Sequence, residues 1–301
     1  MAVADDGATW GTIGGGRIEL EVTEAARAVA AGAPAQRVRH HLVRDLAMCC
    51  GGAMELVIAD AAPSAAAIEA AVLASRARRP ALLETPLDGG PLAVREVDLT
   101  TARAWRRARV VREDGRELLR EAIGLRERVL VFGAGHVGRA IGELAQRCDL
   151  EVVLCDDGDT GALAAPAPWA AQIVESFDVA DAARELGGLG VGDVLLIVTR
   201  DHAMDQRILE QLLGEVAGVA FDELSFVGMI GSRGKVGRFR KRLETRGLLA
   251  GDGAARWARL HAPVGLDLGA ETPEEIAVAV VAQLIALRRR GEAAAGGWGV
   301  P

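Results

Sequence analysis

A chain of 301 residues exceeds the usual size of one domain and can bury a sizeable apolar interior, so two domains are expected and a disordered or collagen-like chain is excluded. Half of its residues are hydrophobic, yet only 3% are aromatic and none is tyrosine, so Ala, Val and Leu carry the core and too few rings remain for a base-stacking or antibody-like surface. A formal net charge of −7 argues against general binding to nucleic acid or to an anionic membrane, and any anionic ligand has to be met by local groups.

The opening Met-Ala-Val-Ala-Asp-Asp has no basic region followed by an apolar stretch, so no secretory signal is expected. The longest apolar run, 276–287, is interrupted by Gln283 and falls short of the roughly 20 residues that span a bilayer. A soluble cytoplasmic protein without a membrane partner is expected.

Along the chain, the first elements are strands over 9–13 and 39–43, a helix over 19–30, a strand over 54–59 and a helix over 64–78. Strands over 81–85 and 92–97 are expected to pair around the turn Leu87-Asp88-Gly89-Gly90-Pro91. These make a smaller N-terminal α/β domain, residues 1–121. Its last stretch, 103–121, carries Arg106-Arg107 and Arg112-Glu113-Asp114 and reads as a solvated linker.

Two loops of this half are candidate sites. Gly11-Thr12-Ile13-Gly14-Gly15-Gly16 either turns consecutive N–H groups, those of Gly14 and Gly15 among them, toward an anion at a helix start, or is a plain turn chosen for positive φ. Cys49-Cys50-Gly51-Gly52 either places a thiolate at a backbone bend, suited to a soft metal or to carrying sulfur, or is a pair of small buried hydrophobes before a turn. The four cysteines, Cys49, Cys50, Cys148 and Cys155, make no disulfide framework and lack zinc-site spacing. His40 and His41, adjacent on a strand, point to opposite faces and make a poor ligand pair.

From residue 122 the pattern changes. A buried-type strand from Arg128 runs into Gly133-Ala134-Gly135-His136-Val137-Gly138, followed by a helical segment with Ile141, Leu144 and Ala145 on one face, and then by a second strand ending in Asp156. Gly133, Gly135, Gly138 and Asp156 satisfy a dinucleotide-type fingerprint in its strand-helix-strand setting, with His136 placed to hydrogen-bond a phosphate. Strands over 172–174, 193–199 and 225–230 alternate with helices over 179–186, 204–214 and 236–246. That alternation predicts a Rossmann-like, doubly wound parallel sheet over 122–301. A final helix follows the cap Thr272-Pro273-Glu274-Glu275 and is apolar nearly all round, as expected of a buried or interfacial element.

Further candidates lie where parallel strands end. Asp201, His202 and Asp205 either orient a ligand or exchange protons, or one of the acids caps the next helix. Ser232 and Arg233, at the start of a helix bearing Lys235, Arg238, Arg240, Lys241 and Arg242, form either a phosphate site or a solvated basic face. His261 reads as structural.

Taken in order, Gly-Thr-Ile-Gly-Gly-Gly (11–16), Cys-Cys-Gly-Gly (49–52), Gly-Ala-Gly-His-Val-Gly (133–138), Thr-Arg-Asp-His with Asp205, Gly-Met-Ile-Gly-Ser-Arg (228–233) and Thr-Pro-Glu-Glu-Ile-Ala (272–277) resemble the XdhC/CoxI family, accessory proteins of xanthine dehydrogenase and related molybdenum hydroxylases. The resemblance implies a non-catalytic chaperone. It would bind molybdenum cofactor, in the bare molybdopterin or the dinucleotide form, while a partner cysteine desulfurase exchanges a terminal oxo ligand for sulfido, and would then deliver it to the apo-hydroxylase. By the same resemblance Cys50, with Gly51 and Gly52, supplies a thiol for the metal or for sulfuration, with Cys49 the second choice. The fingerprint glycines, Ser232 and Arg233 would hold phosphate. Family members have an opening strand and a Gly-Ser-Pro-Arg-like loop before the first motif; only ten residues precede Gly11, so a shortened N-terminal domain is expected. A homodimer is expected, and no nucleic-acid partner. The competing readings are an NAD(P)-dependent oxidoreductase with Asp156 on the ribose, and a nucleotide-sensing scaffold without chemistry.

Overall fold

In the computed structural model, which describes residues 1–46, 52–105, 107–125 and 127–290, two short strands, β1 (Ala2–Val3) and β2 (Thr9–Trp10), pair ahead of helix α1 (Arg17–Ala30). Ile18, Val22 and Val29 repeat at helical spacing on one face of α1 and bury against a two-stranded antiparallel sheet. That sheet is β3 (Gln36–His41) with β4 (Ala53–Ile58), and a short helix, α2 (Leu42–Leu46), stands between them in sequence. The expected strand over 39–43 is therefore displaced: pairing starts at Gln36 and ends at His41, where the chain enters α2.

Helix α3 (Ala65–Arg76) is followed by β5 (Ala81–Pro86) and β6 (Ala93–Glu96), which pair antiparallel around the glycine turn as expected. Helix α4 (Leu99–Ala104) then leads into β7 (Arg109–Glu113) and β8 (Arg116–Ile123). These complete a four-stranded sheet in the order β6-β5-β8-β7.

The reading of 103–121 as a solvated linker is thereby corrected. Asp114 and Gly115 both take positive φ, +49° and +77°, and Glu113 pairs with Arg116 across them, the two-residue hairpin turn that an Asp-Gly step favours. The charges of this stretch are partly internal to the sheet. Arg120 is 5% exposed, donates to Glu84 (2.8 Å) and Glu113 (2.6 Å), and lies 5.0 Å from the Trp105 ring. High charge density suggests solvation; alternation around Asp-Gly is the stronger signal.

The division into two compact units falls between Leu125 and Arg126. The second begins with β9 (Arg128–Phe132), α5 (His136–Arg147), β10 (Glu151–Cys155) and β11 (Gln172–Val174), then α6 (Val179–Glu185), β12 (Asp193–Ile197) and α7 (His202–Leu213). It closes with β13 (Phe226–Met229), α8 (Arg233–Thr245), α9 (Asp252–Ala258), β14 (Leu260–His261) and α10 (Pro273–Arg290). Six parallel strands lie in the order β11-β10-β9-β12-β13-β14, the doubly wound Rossmann arrangement, whose direction of winding reverses between β9 and β12.

Residues of the central strands alternate between two cores. Leu130, Phe132, Leu195 and Ile197 meet α6, α7 and α8, whereas Val129, Val131, Val194 and Leu196 meet α5 and α10. Every residue of β9 and β12 is buried, which is why these strands read as continuous apolar runs. The α9–β14 segment is too short to leave a periodic signal in the sequence; His261 in β14 stacks on Phe226 with centroids 4.2 Å apart. Helix α10 buries one face through Ala277, Val280, Val281 and Leu284, while Val278 on the other side is 50% exposed. Among the described residues no helix is long and apolar enough to cross a membrane.

At the amino end of this sheet Arg128 and Asp193 stand opposite each other on β9 and β12 and form a bidentate pair, both contacts 2.9 Å, with Arg128 also donating to the Gly188 carbonyl at 2.9 Å. Removing one partner of a buried pair strands the other charge. Arg128→Ala is expected to lower unfolding stability by about 3 kcal/mol, measured as a reduced urea midpoint at unchanged slope.

Candidate functional site

The carboxyl ends of β9, β10, β12 and β13 bring together most of the residues singled out from the sequence: Gly133, Gly135, His136, Gly138, Asp156, Asp201, His202, Asp205, Ser232 and Arg233. Gly14, Gly15 and Gly52 belong to the other unit. Cys49, Cys50 and Gly51 lie outside the described residues.

The three fingerprint glycines do different jobs. A β-carbon on Gly133, whose φ is +127°, would collide with the Val198 carbonyl; one on Gly138 would collide with the carbonyl of Gly133 itself. The first glycine thus lets the chain turn hard against β12, and the third lets α5 seat on the loop. Above Gly135 there is open space, with nothing within 4 Å of a β-carbon, and Gly135 and His136 are exposed at the start of α5. Helix N-termini present unpaired N–H groups and a positive dipole end, so this opening, the cradle, has the chemistry that suits an anion such as phosphate.

Two side chains brace the cradle. Asp156, 4% exposed, accepts the Ala134 N–H (2.8 Å) through one oxygen and the Gly158 N–H (3.0 Å) through the other. The structure therefore uses the carboxylate expected on a ribose to hold the glycine loop instead. Arg139 donates to the carbonyls of Ala134 (3.0 Å), Ala165 (2.9 Å), Pro166 (3.1 Å) and Ala162, fastening the 162–166 segment to the same loop. Sequence reasoning missed Arg139 because its partners are main-chain oxygens, which leave no residue-type signal.

The next residue, Asp157, makes a bidentate pair with Arg200, both contacts 2.7 Å. Arg200 comes from the end of β12 and Asp157 from the end of β10, so the pair crosses the end of β9. The guanidinium holds the Asp157 carboxyl below the usual carboxylate range, and Asp157 in turn raises Arg200. No local signal joins two residues 43 apart.

Of the two acids after β12, Asp201 is the cap: its side chain accepts the N–H groups of Ala203 (2.8 Å) and Met204 (2.9 Å). Asp205 is 1% exposed, accepts the Thr199 hydroxyl (2.7 Å) and pairs with Lys235, whose ammonium also donates to the Ile230 carbonyl (2.9 Å). Lys235, read from the sequence as part of either a phosphate site or a solvated basic face, is thus a buried tie between the loops after β12 and β13. His202 is exposed and meets Phe239 edge-on at 6.1 Å. Ser232 caps α8 by accepting the Lys235 N–H (3.2 Å). Beside it, an open cleft of about 560 Å³ is lined by Ser232, Arg233, Pro263, Leu266, Leu268 and Ile276 among others.

In the first unit the glycine loop already holds an anion of its own. One oxygen of Glu19, in the first turn of α1, accepts the N–H groups of Ile13 (2.9 Å) and Gly15 (3.0 Å) and the Thr12 hydroxyl. These bonds draw the Glu19 carboxyl below its ordinary range, the Thr12 contact most of all. Gly14, Gly15 and Gly16 all take positive φ with open space around them, so the turn reading accounts for the loop.

The remaining described thiol at the sheet is inert: Cys155 is fully buried, and burial pushes its thiol far up. Among the described residues no cluster of three or more His, Cys, Asp or Glu is arranged to hold a metal ion.

Fold and loop together define a class, the α/β proteins that carry a Rossmann domain with a glycine loop at its switch point. The model described as the XdhC Rossmann domain matches residues 129–284, and that of the XdhC and CoxI family matches residues 1–41; the chain belongs to this family. It is 31% identical over 167 residues to the uncharacterized protein YqeB of Escherichia coli K12, covering 55% of this chain and 28% of that one. It is 28% identical over 163 residues to a probable xanthine dehydrogenase subunit from Bacillus subtilis 168, covering 54% and 43%. The matches thus span less than half the length of these curated relatives. A crystal structure described as a xanthine dehydrogenase from Bacillus halodurans shares the fold, with a TM-score of 0.72, 22% identity, and coverage of 98% of this chain and 87% of that one.

Two outcomes follow from the geometry. Gly138→Ala is expected to cost about 1–3 kcal/mol by forcing α5 off the loop, whereas Gly135→Ala, at φ −68° in open space, leaves the thermal midpoint nearly unchanged. Because the Asp157 pKa is depressed in the folded state, its contribution to stability is present above the unfolded value near pH 4 and is lost as pH falls through the folded value. The stability difference between wild type and Asp157→Asn in urea is expected to be present at pH 7 and to vanish toward about pH 2.

Proposed function

We propose that this protein binds molybdenum cofactor, holds it through its sulfuration and delivers it to an apo-hydroxylase of the xanthine dehydrogenase type. Membership of the XdhC and CoxI family is the single finding that carries this reading. The Bacillus subtilis relative, described as a probable xanthine dehydrogenase component, supports that choice of partner. A cysteine desulfurase is the second partner, and the protein works as a carrier in the cytoplasm, as a homodimer.

The residues of the second unit fit one end of such a group. A pyranopterin ends in a phosphate, extended in the dinucleotide form to a pyrophosphate, and the space over Gly135 at the N-terminus of α5 accepts either. His136, exposed at the start of the same helix, would donate to the same oxygens. Ser232 and Arg233 are the second set of phosphate-binding groups, at the edge of a cleft whose Pro263, Leu266 and Leu268 would exclude water from a ring system. When bound, the group would supply the metal whose terminal oxo ligand is exchanged for sulfido. Cys50 is the thiol assigned to the metal, with Cys49 beside it.

The glycine cradle also favours a second reading, an NAD(P)-dependent oxidoreductase, since it fits any dinucleotide. The two separate in one experiment. After anaerobic incubation with molybdenum cofactor freed from a molybdoenzyme, gel filtration is expected to show molybdenum and pterin in the protein peak near one per chain. Retention should fall sharply in Cys50→Ser and in Gly135→Asp, the latter placing a helix-favouring but phosphate-repelling carboxylate in the cradle. No retention by the wild type, together with tight binding and turnover of NAD(P), would replace the chaperone with the oxidoreductase.

A further inference from the structure

Helix α3 turns large apolar side chains to solvent. Its sequence, Ala-Ala-Ala-Ile-Glu-Ala-Ala-Val-Leu-Ala-Ser-Arg, carries only two charges, Glu69 and Arg76, in a chain of which 26% is charged. Ala67, Ala71 and Ala74 recur at helical spacing on the side that meets β5, β6 and β8, and Ala74 is buried there. Both ends of the helix are fastened. Ahead of it, the Ser64 hydroxyl accepts the Leu92 N–H at 2.9 Å. At its far end the main chain passes so close to Gly124 that a β-carbon there would collide with the Arg79 carbonyl and stand 3.3 Å from that of Ala74. The sheet therefore fixes which side of α3 faces outward.

That outward side holds Ala65, Glu69, Val72, Leu73 and Arg76, one stripe at helical spacing and exposed throughout. Val72 and Leu73 are 42% and 51% exposed, and Ile68 beside them is 39% exposed. Neither Glu69 nor Arg76 has a hydrogen bond or ion pair among the described residues. The two charges are opposite in sign and two turns apart, about 10 Å along the axis, with the two large apolar side chains midway between them. Such a stripe is complementary to itself. A two-fold axis between Val72 and Leu73 brings a second copy alongside antiparallel, so that Glu69 of each copy meets Arg76 of the other and Val72 of each meets Leu73 of the other. A parallel pair would set Glu69 against Glu69 and Arg76 against Arg76, so the charge order selects the antiparallel one.

We propose that α3 is the interface between two copies of this chain, packed antiparallel about a two-fold axis between Val72 and Leu73. This rests on the homodimeric reading of the protein and places its contact surface. Symmetry doubles every contact: two Glu69–Arg76 pairs flank an apolar centre of four side chains. Exposed ion pairs add little affinity, but they fix register and direction. A pair of three-turn helices sits at or below the lower end of stable interfaces, roughly 1,200 Å², so a dimer that dissociates in the micromolar range is expected.

Sedimentation equilibrium of the full chain without cofactor, from about 1 to 200 μM, tests this. Wild type is expected to show a monomer–dimer equilibrium within that range. Glu69→Arg and Arg76→Glu each set like charges against each other twice, and each should weaken the dimer about tenfold or more. The double variant Glu69→Arg/Arg76→Glu restores the complement and should return to within about threefold of wild type. Leu73→Glu, which places a charge in the apolar centre, should leave monomer alone. All these positions are exposed, and circular dichroism checks that each variant keeps its fold. A dimer that neither charge reversal weakens, that the double variant does not restore, or that survives Leu73→Glu would overturn the α3 interface and leave the homodimer standing. A wild type that is monomeric across the range would overturn interface and homodimer together, with the carrier reading still decided by cofactor retention.

Discussion

The carbonyl of Gly133 occupies the space that a β-carbon at residue 138 would need, and a carbonyl of the neighbouring strand crowds residue 133 in the same way. These two close approaches decide where α5 begins and how tightly it lies on β9. They also leave the N-terminus of α5 at the point where the sheet reverses its winding, with Gly135 facing open space between two immovable neighbours. Asp156 and Arg139 then spend their charges on the loop's main chain, so the loop is held in place by the protein's own groups.

The same economy of fixed loops runs along the whole carboxyl edge of the sheet. Asp201 and Ser232 cap α7 and α8, the Asp205–Lys235 pair ties the two loops together beneath them, and the Asp157–Arg200 pair bridges the flanks of β9. The buried pair is not chiefly a source of stability, because burying both charges offsets much of their attraction. It gives position: Lys235 passes so close to Gly231 that a β-carbon there would stand 2.6 Å from its Cδ, so loop and tie require each other.

In the first unit the parallel device is internal. The glycine loop ahead of α1 closes on Glu19, an anion supplied by its own helix. Loops rich in glycine thus serve opposite ends in the two halves, one satisfied by a carboxylate in its own first turn and one left open. The difference comes from a single acid placed at the third position of α1, where α5 has Gly138.

Several features were legible in the residues alone. The continuous apolar runs of β9 and β12, the three glycines and the capping residues led directly to a doubly wound sheet with a glycine loop at a helix start, because strand burial, positive φ and helix starts act over a few neighbouring residues. Ordered motifs across the chain led to the family. What the sequence did not disclose depends on contacts between distant residues. The 103–121 stretch became two strands because β5 was there to pair with and Glu84 was there to meet Arg120. Asp156 turned inward and Asp157 outward because Ala134 and Arg200 claimed them, from 22 and 43 residues away. Local patterns determine elements and turns, since their energies are local; which carboxylate braces a loop and which pairs with a distant arginine was decided only when tertiary packing brought their partners into reach.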